Sequence, residues 1–130
     1  MSRLNIIFLL IIGLSLLSLS CGGRSLSVVN GYYLETVDDL NSFFIKDAKF
    51  DKVLNIPLSD FSFDSGFLYG LTASGDDSFY IFDTTSGESI LFENWEELNA
   101  HTKKLGLQNY SMKNSFTFLD LSTGHKKSPW

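Results

Sequence analysis

Few side chains in this sequence could do covalent chemistry, and their spacing restricts what they could do. Cys21 is the single thiol, and His101 and His125 are the two imidazoles. A nucleophilic triad needs Ser or Cys, a histidine base and an orienting carboxylate. Neither histidine neighbours a Gly-x-Ser-x-Gly elbow, and the sequence contains no such pentapeptide. His101 falls on the outward-leaning side of a predicted helix, and His125 precedes Lys126 and Lys127 in a basic tail, so both read as solvated. Zinc takes three or four Cys, His or carboxylate ligands, and no His-x-x-x-His or His-Glu-x-x-His spacing occurs. Calcium needs closely spaced oxygen ligands. Asp60 with Asp64, and Asp76 with Asp77, are the acidic clusters near turns, and neither follows the EF-hand pattern. Gly66, Gly70 and Gly75 are spaced as turn residues rather than as a phosphate-cradling loop. Paired carboxylates for hydrolysis of glycan or peptide stay open, because the fold sets their separation. Asp60, Asp64, Asp76, Asp77 and Asp83 form that pool. The sequence therefore names no catalytic residue, no cofactor and no metal ligand.

Cys21 has a different setting. Met1-Ser2-Arg3 is a short basic start, Leu4 to Leu17 is almost wholly apolar, and small polar residues lead to the cysteine. This is the order of a secretory signal peptide. The apolar run is shorter than the ~20 residues a helix needs to span a bilayer. Leu17-Ser18-Leu19-Ser20-Cys21-Gly22 resembles the lipobox of bacterial lipoproteins, with Ser18 standing where leucine is commonest. That resemblance implies cleavage before Cys21, lipidation of its thiol and a tether to a membrane. Gly22, rather than Asp, follows the cysteine, which implies the periplasmic face of the outer membrane in a diderm host. Each buried CH₂ of an acyl chain contributes about 0.8 kcal/mol, so two or more chains hold a protein stably. Residues 1–20 are then a cleaved signal, and 21–27 the lipidated cysteine with a short tether.

The 130 residues carry a formal net charge of −5. Nucleic-acid binders neutralise phosphates with clustered Lys and Arg, so this balance excludes nucleic acid as a partner. One cysteine excludes an internal disulfide, and a 44% hydrophobic share excludes a disordered chain. Residues 28–124 are expected to form a single α+β domain, with 125–130 a flexible tail. Asn30-Gly31 predicts a tight hairpin turn. Thr36 with Asp38 and Asp39 offers a helix start, with Val37, Leu40 and Phe44 at helical spacing, although Phe43 to Ile45 also suits a strand. Strands are predicted over Lys52–Ile56, around Phe61 and Phe63, over Phe67–Thr72, Phe79–Phe82, Ser89–Phe92 and Phe116–Leu121. Asn94 predicts a helix N-cap with Glu97 as its capping-box partner, and Gly106 its stop. Trp95, Leu98, Thr102 and Leu105 trace one face of that helix.

The fold class is accordingly α+β: an antiparallel sheet of about 5–7 strands with one or two helices packed on one face. Most of the phenylalanines sit inside strand candidates and read as core. Ile81-Phe82-Asp83-Thr84-Thr85 matches part of the aspartic-protease signature, but Thr85 stands at its glycine and no second copy exists. These residues read as a turn. The hairpin from Phe79 to Gly87, followed by a capped helix ending in Leu105-Gly106-Leu107, is similar to small uncharacterised bacterial lipoproteins. The resemblance covers about half of the mature chain. It implies a fold and carries no catalytic residues. Two functions follow as expectations. The first is a non-catalytic, lipid-anchored binding or inhibitor/immunity-type module with a protein partner in the envelope. Tyr32, Tyr33, Tyr69, Tyr80 and Tyr110 would be its aromatic anchors. The alternative is a small envelope hydrolase using carboxylates.

Overall fold

A computed structural model describes residues 24–36, 41–74 and 78–130. Cys21, the expected helix start at 37–40, and Asp76 with Asp77 lie outside them. Asn30 and Gly31 turn the chain with φ +59 and +81, the left-handed values that these residue types tolerate. The turn joins β1 (Ser25–Ser27) to β2 (Tyr33–Glu35), and β3 (Phe44–Lys46) completes a three-stranded antiparallel sheet. Phe44 therefore belongs to a strand rather than to the face of a helix. Ser65 and Gly66, both at positive φ, make the two-residue turn between β4 (Ser62–Asp64) and β5 (Phe67–Leu71). With β6 (Phe79–Asp83) and β7 (Ser89–Phe92) they form a second antiparallel sheet in the order β4-β5-β6-β7.

Among the described residues the fold is α+β, with seven antiparallel strands in two sheets and two α-helices. The second sheet is covered on both sides. Leu68, Tyr80 and Phe82 pack with Leu34, Phe43, Ile45, Leu58 and Phe61, which brings in the first sheet. The alternate residues Tyr69 and Ile81 pack with Leu98, Leu107 and Tyr110 on the helical side. Double burial explains why β5 and β6 read as continuous apolar runs rather than alternating ones.

Helix α1 (Trp95–Lys104) begins where Asn94 Oδ1 accepts the Glu97 N–H at 2.9 Å. The Glu97 carboxylate reaches back one residue further than expected, to the Glu93 N–H. Gly106, at φ +74, ends the helix. Its N–H donates to the Lys103 carbonyl, and the N–H of the buried Leu107 donates to that of Thr102. This is a Schellman motif with its apolar contact. Only Leu98 and Thr102 of the predicted face are buried; Trp95 and Leu105 are exposed.

Three expectations are corrected. Lys52–Ile56 is not a strand. It contributes an isolated bridge from Lys52 to Lys46 and a Val53 N–H bond to the Ile45 carbonyl, because no longer ladder forms beside β3. Phe116–Leu121 is not a strand either. Phe116 bridges to Phe61, and Phe118–Ser122 is a short helix, α2. Thr117 Oγ1 accepts the Asp120 N–H at 3.1 Å, and the Thr117 N–H returns to Asp120 Oδ2 at 2.9 Å. Burial acts to raise the Asp120 pKa, but the Thr117 hydrogen bonds and the charges of Lys126 and His125 outweigh it, so the carboxyl lies below its ordinary value. Gly70 is not a turn residue; it lies inside β5 opposite Tyr80. The residues read as a tail make specific contacts: Lys126 Nζ donates to the Ser115 carbonyl at 2.7 Å, and the Trp130 ring stacks 5.7 Å from Phe61.

Thr84 ties three turns together. Its hydroxyl donates to the Gly66 carbonyl at 2.6 Å and accepts from Asn30 Nδ2 at 2.9 Å. The Thr84 side chain is buried, while its partners Asn30 and Gly66 reach the surface. Thr84→Val keeps the shape and removes both bonds, and it is expected to cost about 1–3 kcal/mol. Thr84→Ser should recover most of that. Urea unfolding of both variants checks this; a loss in Thr84→Ser with little in Thr84→Val would mean that the methyl group, not the hydroxyl, matters.

Candidate functional site

Asp60 sits where β4 begins. Ser59 and Asp60 both direct their N–H groups at the Leu71 carbonyl, at 2.9 and 3.5 Å, so the chain bulges there. The bulge turns the Asp60 side chain into the interior, where it is almost fully buried. Oδ1 accepts the Leu71 N–H at 2.9 Å, and Oδ2 accepts the Tyr110 hydroxyl at 2.6 Å. The Ser115 hydroxyl, 3.1 Å from Oδ2, shares its proton with the Met112 carbonyl at 2.8 Å. The Tyr80 hydroxyl donates to the Asp60 backbone carbonyl at 2.9 Å. Asp60 thus joins β5, β6 and the 110–115 segment from inside.

The other carboxylates of the pool lie elsewhere. Asp64 closes the end of β4, accepting from the Ser65 hydroxyl at 2.9 Å and the Gln108 N–H at 2.8 Å. Asp83 ends β6 and accepts the Thr85 N–H at 2.9 Å, an Asx turn. The structure does not bring Asp60, Asp64 and Asp83 together. It does bring Asp83 beside Glu88 and His101, which line one groove of about 390 Å³ with the apolar Phe67, Ile81, Ile90 and Leu105. Glu88 was absent from the sequence-derived pool, although the strand register that sets Phe79 against Phe92 places it across from Asp83. His101 also lies 5.3 Å from the Phe92 ring, and His125 is exposed. Among the described residues no cluster of three or more Cys, His, Asp or Glu could hold a metal ion.

Three of the five tyrosines expected as anchors are out of reach, and Tyr32 and Tyr33 are half-buried. Tyr69, Tyr80 and Tyr110 are buried. Tyr32 meets Phe82 edge-on, and Tyr33 stacks on Phe50. Exposed apolar surface includes Phe50 and Leu119 and, around α1 and β7, Trp95 and Met112, at 51% and 68% exposure, with Ile90, Leu91 and Leu105. Trp95 and Met112 line an apolar groove of about 290 Å³ with Phe79, Tyr110 and Ser111. Trp95 escapes burial because α1 meets the sheet along a narrow stripe, with Leu98 and Thr102 inside.

Burial also fixes a pH response. It pushes the Tyr69 hydroxyl up to about 12, with the Asp64 carboxylate adding to the effect. Tyr110 is raised by burial, by its hydrogen bond to Asp60 and by the charge of Asp60, and Tyr80 by burial and the same charge. The folded chain therefore holds these phenolic protons more tightly than the unfolded chain, which releases them near 10.0. Stability is full below pH 10 and is lost as pH rises toward 12 and beyond, by about 1.4 kcal/mol per pH unit for each tyrosine. Alkaline titration should show tyrosinate absorbance rising together with loss of circular dichroism. Ionisation of these three near pH 10 with the fold intact would contradict this.

Comparison with known protein families, with curated proteins and with solved structures returned no match. Among the described residues no helix is long and apolar enough to cross a membrane.

Proposed function

We propose that this chain is a non-catalytic binding module of the inhibitor or immunity type, held at a bacterial cell envelope by acyl chains on Cys21. In a diderm host its place is the periplasmic face of the outer membrane. The lipobox-like run ending in Ser20-Cys21 supports the anchor. Cleavage before Cys21 removes only Arg3 from the charged set, so nine basic residues face fifteen acidic ones in the mature chain, net −6. That charge steers basic partners toward it. The observation that carries the binding reading is the half-exposed Trp95 beside Met112 at an apolar groove. An uncovered indole next to apolar surface is the composition of an interface anchor. The hydrolase alternative draws support only from Asp83 and Glu88 in the neighbouring groove, where the Thr85 amide already engages Asp83.

The test uses the full chain in its host. A fatty-acid analogue that can be coupled to a dye should label the wild type and not Cys21→Ala, which should leave the membrane fraction. A photo-reactive phenylalanine analogue in place of Met112 should give one discrete adduct with an envelope protein, and none in place of the exposed Lys49. Label retained by Cys21→Ala sinks the anchor. Matching adducts at both positions, or none at either, sink the binding surface.

A further inference from the structure

β7 is the outer strand of the four-stranded sheet, and no described segment pairs with its outer side. The parity of its backbone can be worked out. The Asp83 N–H donates to the Glu88 carbonyl at 2.9 Å, so 83 and 88 are a hydrogen-bonded pair. Antiparallel pairs alternate. The register Ile81↔Ile90 and Phe79↔Phe92 is therefore also hydrogen-bonded, while Phe82↔Ser89 and Tyr80↔Leu91 are not. It follows that the N–H and C=O groups of Ser89 and Leu91 point away from β6, toward the open edge.

Edge strands are usually protected by Lys, Pro, a bulge or a covering segment. β4 has such cover, through the Phe61–Phe116 bridge and the Asp64–Gln108 bond. Ser89-Ile90-Leu91-Phe92 has none of these among the described residues, and Ile90 and Leu91 are 45% and 47% exposed, one on each face. What flanks the strand is acidic: Glu88 before it and Glu93 after it, both exposed. Those charges decide between occupants. A second copy paired about a two-fold axis would bring Glu88 of one chain within a residue of Glu93 of the other at both ends. Like charges there are destabilising. An incoming strand with a basic residue at each end would instead meet opposite charge twice.

We propose that the outer edge of β7 accepts an extended segment of a partner protein as an added strand, with an apolar centre beside Ile90 and Leu91 and a basic residue at each end, near Glu88 and Glu93. Backbone bonds to Ser89 and Leu91 give the affinity, and the flanking charges give the selectivity. The inference rests on the reading of the chain as a binding module and specifies how it binds.

The probe is a short peptide of alternating valine and threonine with lysines at both ends, compared with one ending in glutamates. The target is the full chain in detergent micelles. The lysine-flanked peptide should bind about tenfold more tightly. It should slow hydrogen exchange at the Ser89 and Leu91 amides, with Ile90 already protected. Leu91→Pro removes an outward N–H without touching the ladder, and should abolish binding while the Ile81 amide stays protected. Should that variant not fold, Glu88→Lys with Glu93→Lys, both on exposed positions, should reverse the preference between peptides. Equal binding of both peptides, or unchanged exchange at Ser89 and Leu91, overturns the proposal. Protection of those amides that grows with protein concentration and no peptide also overturns it, in favour of a second copy. A discrete Met112 adduct with unmoved Ser89 and Leu91 amides overturns strand addition alone and leaves the binding reading standing.

Discussion

Asp60→Ala is expected to destabilise the fold by about 3–5 kcal/mol in denaturant unfolding, the largest loss from any single side chain described above. The substitution removes few apolar contacts. Its cost comes from what it leaves behind: the Leu71 N–H, the Tyr110 hydroxyl and part of the Ser115 hydroxyl lose their acceptor in a dry interior. Each unsatisfied buried donor costs about 1–3 kcal/mol, and the terms do not add fully. Domains of this size are held by roughly 5–15 kcal/mol in total, so the variant should be close to unfolded in the warm. Asp60→Asn distinguishes the mechanism. Its amide oxygen can still accept from Leu71, and its NH₂ can donate to Tyr110 once that hydroxyl turns round. It should lose less than about 2 kcal/mol. A loss below about 1 kcal/mol for Asp60→Ala would show that the carboxylate does not hold these elements together.

Gly70→Ala should cost about 3 kcal/mol, for a steric rather than a polar reason. A Cβ at position 70 would lie 2.6 Å from Asp60 Oδ1 and 2.7 Å from the Asp60 carbonyl oxygen. The side-chain oxygen could swing away at the expense of its bond to Leu71. The carbonyl oxygen cannot, because it belongs to the bulge and also receives the Tyr80 hydroxyl. Glycine inside a strand marks such close backbone approach. The double variant with Asp60→Ala checks this, since removing the carboxylate leaves the backbone collision in place. Gly70→Ala should therefore remain destabilising in that background. Full rescue would mean that only the side chain was in the way.

Local chemistry made the hairpins and α1 legible. Asn30-Gly31 and Ser65-Gly66 supply the left-handed backbone their turns need, and Asn94 and Gly106 mark both ends of the helix. The same kind of signal was present for α2 in Thr117 and Asp120, but the alternation of Phe116 with Phe118 spoke for a strand. Lys52–Ile56 has residues that suit a strand, yet strand type alone does not supply a neighbour to pair with. The candidate surface was less legible than the fold. Exposure of Trp95 and burial of Tyr110 depend on how α1 and the 107–115 segment lie on the sheet, which side-chain spacing does not encode. Asp60 is hidden for a related reason: its partners Tyr110 and Ser115 lie 50 and 55 residues away, and nothing near Asp60 announces them.

That separation has a kinetic meaning. The tight hairpins close over a few residues, whereas the side-chain bonds from Asp60 to Tyr110 and Ser115 close loops of 50 and 55 residues, and loop closure must precede the contact that rewards it. The hairpins of β4 to β7 can form while the Asp60 carboxylate still faces water. Its desolvation is then expected late, after the chain has crossed its folding barrier. Removing it is expected to quicken unfolding and to leave the refolding rate almost unchanged. Asp60 therefore acts on this fold as a latch, setting how long the native state lasts rather than how fast it is reached.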